Sequence, residues 1–144
     1  MKTLVIDSSV AAKWFLRSED ETYTNPALDL LQSYISGQTG LVVPDLFWAE
    51  MGNIFWKSAR QGRWSASDSE AALRLLLGRH IPTVPSRSLL EDAYNISIAH
   101  QRTVYDSIYV ALAIASKTDL VTADERLANS LAAHLPVKWL GSWI

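Results

Sequence analysis

The apolar positions of this chain follow two rhythms. Short runs rich in β-branched residues stop at polar or turn-forming residues, and between them longer stretches repeat their apolar positions at helical spacing. Thr3–Ile6 reads as a strand ending at Asp7, after which Ser8 or Ser9 can cap a helix over Val10–Leu16. Thr24-Asn25-Pro26 reads as a cap with Pro at the first helical position. Ala27, Leu30, Leu31, Tyr34 and Ile35 continue at helical spacing, and Gly37 closes the helix. Leu41–Val43 is a second strand, and Pro44 is expected to open a long helix ending near Gly62. Ser67-x-x-Glu70 reads as a capping box for a helix carrying Leu73, Leu76 and Leu77 up to Gly78. Ile81–Val84 is a short strand weakened by Pro82, and Ser88-x-x-Glu91 opens a helix through His100. The remaining elements are a helix over Asp106–Lys117, a strand at Leu120–Thr122, a helix over Glu125–Ala133 and a strand at Val137–Leu140.

Strands that alternate with helices pair in parallel, because each crossover helix returns the chain to the end of the sheet where the previous strand began. The expected fold class is therefore α/β: a three-layer α/β/α sandwich with a mainly parallel sheet of four to five strands. No linker interrupts the pattern, so residues 1–144 are expected to form one domain. Ligand sites in such sheets lie beyond the carboxyl ends of the strands, where the strand order reverses. Asp7 and Asp124 both follow strands directly.

Composition narrows the chemistry. The 144 residues contain no Cys, which excludes disulfides, thiolate metal sites and a cysteine nucleophile, and is compatible with a reducing cytoplasm. The longest apolar run, Ile108–Ala115, is far too short to span a bilayer, and Asp7 interrupts the N-terminal apolar stretch that a signal peptide would need. The net charge of −2 does not by itself suggest a nucleic-acid binder. Without Asp7, Glu50, Asp106 and Asp124, however, the balance of the rest turns mildly positive. Phosphate-binding glycine motifs and the Gly-x-Ser-x-Gly elbow are absent. His80, His100 and His134 lie far apart in sequence, at no ligand-like spacing.

The four acids differ in how readily a structural role explains them. Asp7 and Asp124 suit strand ends and helix caps. Asp106 opens a helix that is apolar nearly all round, and a carboxylate at the mouth of a buried helix must be paired, protonated or metal-bound. Glu50 lies in the middle of its helix, where capping cannot account for it. It stands beside Asn53 and Lys57 at the edge of an apolar arc of roughly 220° that includes Phe47, Trp48, Met51, Gly52, Phe55 and Trp56. That arc is too wide for one core face, so its far side, with Trp48, Gly52 and Trp56, is expected to meet another chain.

Four stretches carry a family likeness: Val5-Ile6-Asp7-Ser8-Ser9, Ala49-Glu50-Met51-Gly52-Asn53, the segment from Asp106 to Ala113, and Leu120-Val121-Thr122-Ala123-Asp124. In order, spacing and placement the chain resembles the PIN-domain ribonucleases, and among them the VapC-type toxins of toxin–antitoxin pairs. The likeness runs from residue 3 to about residue 140, and the six Trp residues are no part of it. It implies a parallel sheet with Asp7 and Asp124 at adjacent strand ends and Glu50 and Asp106 reaching the same pocket from helices. It also implies an RNA substrate, products with a 5′-phosphate and a 3′-hydroxyl, a homodimer, and inhibition by a VapB-type antitoxin that places a basic side chain among the acids. A non-catalytic PIN-type module that binds RNA or protein is the alternative.

Four carboxylates without His or Cys suit a hard cation, Mg2+ or Mn2+. Asp7, Glu50, Asp106 and Asp124 are the expected ligands and catalytic residues, with Ser8, Asn53 and Thr122 orienting a carboxylate or a water. No side chain stands out as a general base, which leaves the activation of water to the cation. Lys13 and Arg17, one turn apart, and Lys57, Arg60 and Arg63 after Glu50 could track an RNA backbone. Crowding of like charges predicts that Asp106→Asn raises thermal stability when no metal is present.

Overall fold

The computed structural model describes residues 1–143. Five strands, β1 (Lys2–Ile6), β2 (Thr39–Pro44), β3 (Thr83–Val84), β4 (Leu120–Thr122) and β5 (Val137–Trp139), form one sheet in the order β3-β2-β1-β4-β5. Every pairing is parallel. Leu4, Val5 and Ile6 are consecutive and all buried. Successive strand residues point to opposite faces, so β1 is covered on both sides, as a parallel sheet flanked by helices requires.

The chain first moves outward from β1 to β2 and β3, then returns to the other side of β1 for β4 and β5. The order therefore reverses between β1 and β4. Their register pairs Val5 with Leu120 and Ile6 with Val121, so the next step along both strands sets Asp7 beside Thr122.

Seven helices flank the sheet among the described residues: α1 (Ser8–Ala11), α2 (Thr24–Ile35), α3 (Leu46–Arg60), α4 (Ala66–Leu77), α5 (Leu90–His100), α6 (Val104–Ala115) and α7 (Glu125–Leu131). Two carry the site from the helical layers. On α3, Phe47, Met51, Phe55 and Ser58 are buried at helical spacing. On α6 the seven residues Ser107–Ala113 are all buried, as its apolar sequence demands.

Several boundaries differ from the sequence expectation, for local physical reasons. Pro44 ends β2 instead of opening a helix, and α3 starts at Leu46. The cap of α4 is Ser65, whose hydroxyl accepts from the Asp68 N–H, and not Ser67. Ser88 lies in a 3-10 turn ahead of α5 and does not cap it. Thr24 is already helical, behind a Tyr23 in the left-handed region at φ 55°. Helix α1 is a single turn continued by a 3-10 turn over Ala12–Trp14. Gly37, at φ +80°, closes α2 as expected.

Five of the six Trp residues act within the fold. The indoles of Trp14, Trp48 and Trp64 donate to Ala27 O, Thr83 Oγ1 and Phe55 O, Trp139 packs edge-on against Tyr23, and Trp143 lies under the Lys2 ammonium. Trp56 alone among them is mostly exposed, at 56%. Of the contact face expected on α3, Trp48 is half-buried and bonded to Thr83 at the surface, and Trp56 is exposed.

Candidate active site

Asp7 sits where β1 ends and α1 begins, and it is both strand end and helix cap. One oxygen, Oδ1, accepts from Ser9 Oγ at 2.5 Å and from the Val10 N–H at 3.4 Å. The other, Oδ2, accepts from Thr122 Oγ1 at 2.5 Å. The residue is 7% exposed. Burial pushes its carboxyl up to about 6, against the pull of Ser9, Thr122 and Val10, and the nearby Glu50 charge adds to the rise.

Glu50 points from the middle of α3 toward the same end of the sheet. Its Oε1 accepts from the Tyr109 hydroxyl and, at 3.4 Å, from Ser8 Oγ. Burial raises its carboxyl, partly offset by Tyr109 and Ser8, and the charge of Asp106 raises it further. The Tyr109 phenol is pushed up in turn by burial and by Glu50. Glu50 is therefore no solvated surface glutamate. Lys57, on the same helix, is exposed and makes no ion pair with it among the described residues.

Asp106 lies in the first turn of α6 but does not cap it: Thr103 does, its hydroxyl accepting from the Asp106 N–H at 3.1 Å. The Asp106 carboxylate faces Arg102, whose Nη2 approaches Oδ2 at 3.3 Å. A cation of the chain itself thus stands beside Asp106, so Asp106→Asn would relieve the repulsion that raises Glu50 but would also remove the pair with Arg102. Asp124 is exposed and caps α7, accepting from the Leu127 N–H at 3.1 Å. It connects to Asp7 through Thr122, whose Oγ1 also accepts from the Asp124 N–H.

Of the supporting residues expected from sequence, Ser8 holds Glu50 and Thr122 holds Asp7, whereas Asn53 is exposed and touches none of the acids through a hydrogen bond. Ser9, Tyr109 and Arg102 were not singled out. Ser9 also receives the Ala123 N–H, so it ties α1 to the turn after β4. Their sequence signal is faint: Ser9 reads as an alternative cap and Tyr109 as core.

The basic candidates fare unevenly. Lys13 is buried and pairs with Glu21 at 3.2 Å, and Glu21 is shared with Arg63 at 3.2 Å. Arg17 pairs with Glu19 and Asp20. Arg60 lies over the Trp56 ring. Lys13, Arg17 and Arg63 are bound up in this network of acids instead of forming a basic track.

The acids meet one test for a hard divalent cation and leave another open. All donors are oxygens, two of the carboxylates are desolvated, and Glu50 Oε2 and Asp106 Oδ1 have no protein partner among the described hydrogen bonds. Among the described residues no three acids yet converge as a ready ion-binding group.

A family model for the PIN domain matches residues 4–130 of the chain. The chain belongs to the PIN-domain family. This PIN domain is 30% identical over 132 residues to Ribonuclease VapC3 of Pyrobaculum aerophilum, a match covering 90% of the chain and 95% of that protein. Its fold is similar to the crystal structure of Mycobacterium tuberculosis VapC20, described as a sarcin-ricin loop cleaving toxin, with a TM-score of 0.63, 15% identity, and 92% and 95% of the two chains covered. It is also similar to Rickettsia felis VapBC2, solved bound to a DNA fragment from its promoter, with a TM-score of 0.64, 13% identity, and 99% of each chain covered. The five-stranded parallel sheet flanked by helices agrees with the fold expected from sequence.

Proposed function

We propose that this PIN domain is an endoribonuclease toxin of a toxin–antitoxin pair, dependent on Mg2+ or Mn2+. The observation that carries the reading is the pair of desolvated carboxylates, Asp7 and Glu50, at the carboxyl end of β1 beside the reversal of strand order. Such groups are unfavourable in a fold unless something cationic uses them. Asp7, Glu50 and Asp106 would hold the cation, with Asp124 at the margin. When bound, it supplies Lewis acidity toward the RNA phosphate and the attacking water. The chain's own part is to keep those oxygens aimed: Ser9 and Thr122 fix Asp7, and Ser8 and Tyr109 fix Glu50 through Oε1, leaving Oε2 free. The likeness to VapC3 supports RNA as the substrate, and the likeness to VapBC2 supports an antitoxin as partner.

A cytoplasmic protein fits this reading; no described helix is long and apolar enough to cross a membrane. The decisive assay incubates purified protein with RNA in Mg2+ or Mn2+ and in EDTA. Cleavage with metal, absent in EDTA and yielding 5′-phosphate ends, is the expected outcome. RNA binding without cleavage would establish the non-catalytic alternative.

The homodimer belongs to the same proposal. Trp56 and Gly52 border a shallow apolar depression with Phe55, Ala59 and Leu73, a face suited to a second copy. Light scattering should give twice the chain mass for the wild type and the monomer mass for Trp56→Glu. An unchanged dimer in the variant would place the contact elsewhere.

A further inference from the structure

Arg102 precedes the cap of α6 and, among the described residues, is the one basic side chain paired with any of the four acids. Its side chain is 25% exposed and that of Asp106 34% exposed. One contact, Nη2 to Asp106 Oδ2 at 3.3 Å, uses a single donor of a guanidinium that has five. The Nε–H is buried and finds no acceptor in the protein. A strut holding α6 in place would be expected to use its fork fully, because a desolvated donor left unpaired is destabilising. Arg102 instead keeps most of its fork unspent beside a carboxylate that a cation would claim.

Two neighbouring facts sharpen this. Of the phosphate contacts expected from sequence, Lys13 is buried against Glu21 and Arg63 is shared between Glu21 and Asp20, while Arg17 pairs at the surface with Glu19 and Asp20 and with none of the four acids. The pair is a single contact between partly exposed side chains, an arrangement that can be exchanged for another anion. A divalent cation arriving at Asp106 would repel the guanidinium, and a phosphate of bound RNA is an anion that matches its planar fork.

We propose that Arg102 is a substrate-contacting residue with two stations. It occupies Asp106 while the site lacks a cation, and it passes to a phosphate of the RNA when a cation takes Asp106. This rests on the nuclease reading above, and its test separates the two.

Arg102→Gln removes the charge and Arg102→Lys keeps the charge without the fork. Each is compared with wild type in two measurements, Mn2+ titration without RNA by electron paramagnetic resonance, and binding of a mixed-sequence single-stranded RNA in Ca2+ at several salt concentrations. Loss of the competing cation should tighten Mn2+ binding by Arg102→Gln about two- to fivefold. The same variant should bind RNA roughly tenfold more weakly, with a log–log salt dependence shallower by about 0.7. Arg102→Lys should keep the wild-type salt dependence while binding RNA more weakly. A merely structural arginine would weaken both ligands together or neither. Wild-type RNA affinity and salt slope in Arg102→Gln would overturn the proposal while leaving the nuclease reading intact. If Arg102→Gln does not fold, a Lys variant with wild-type RNA affinity and Mn2+ affinity overturns it equally. A wild type that neither binds Mn2+ nor cuts RNA removes both proposals.

Discussion

Asp7→Asn is expected to lower RNA cleavage by roughly a thousandfold or more, because a cation's contribution to transition-state stabilisation is several kcal/mol and each 1.36 kcal/mol is about tenfold in rate. The same change should raise stability in EDTA. Asn keeps the shape and its oxygen can still accept from the Val10 N–H and from Ser9, so the cap of α1 survives, and the Thr122 hydroxyl can turn to accept from its amide NH2. What disappears is a buried charge. With saturating Mn2+ the order should reverse, since ligand binding stabilises the wild-type fold by mass action and the variant binds less. Cleavage assays and thermal melts, each with EDTA and with excess Mn2+, check both halves. A variant that cuts at a near wild-type rate would remove Asp7 from the site. A variant less stable than wild type in EDTA would make its role structural.

Acidity should expose the same carboxylate in the cation-free protein. The folded Asp7 carboxyl lies at about 6 and its ordinary value is 3.8, so between these values the folded chain binds the proton that the unfolded chain has released. Stability is therefore highest below about pH 4 as far as this group is concerned. It declines as pH rises through the window and stays lower above about pH 6, by about 3 kcal/mol at 1.36 kcal/mol per pH unit. Glu50 is raised too and pulls in the same direction. Asp45, lowered by its hydrogen bonds to Ser86, pulls in the opposite direction. The informative quantity is thus the difference between wild type and Asp7→Asn. Urea denaturation in EDTA across this range should show the variant gaining on the wild type as pH rises. A difference independent of pH would mean that burial of Asp7 carries no such penalty.

Much of this molecule is legible in local patterns. The β-rich runs ending at Asp7 and at Thr122 fix two strands, and the continuous apolar run of α6 announces a buried helix. The mid-helix position of Glu50 marks it as unexplained by capping. The misses arise where a local signal has two readings. Thr103-x-x-Asp106 has the spacing of a capping box, but the apolar run that draws the eye begins later, at Ile108. Ser65 and Ser67 both suit a cap, and it is Ser65, next to the Trp64 packed on Phe55, that takes the role. Long-range pairing leaves no local trace at all. Lys13 and Arg17 look like a basic helix face until Glu21 and Arg63, 42 residues apart, close around the first of them. Asn53 shares the edge of α3 with Glu50, yet a small rotation about the helix turns it to solvent.

The hydrogen bond from Thr122 to Asp7 joins residues 115 apart. During synthesis β1 is made well before Thr122. Translation at about 5–20 residues per second separates the two by roughly ten seconds. Through that interval Asp7 lacks its partner strand and the anchor that Thr122 and Ser9 make with the turn after β4. In a growing chain the proposed site is therefore incomplete until β4 docks beside β1 and brings Thr122 to Asp7.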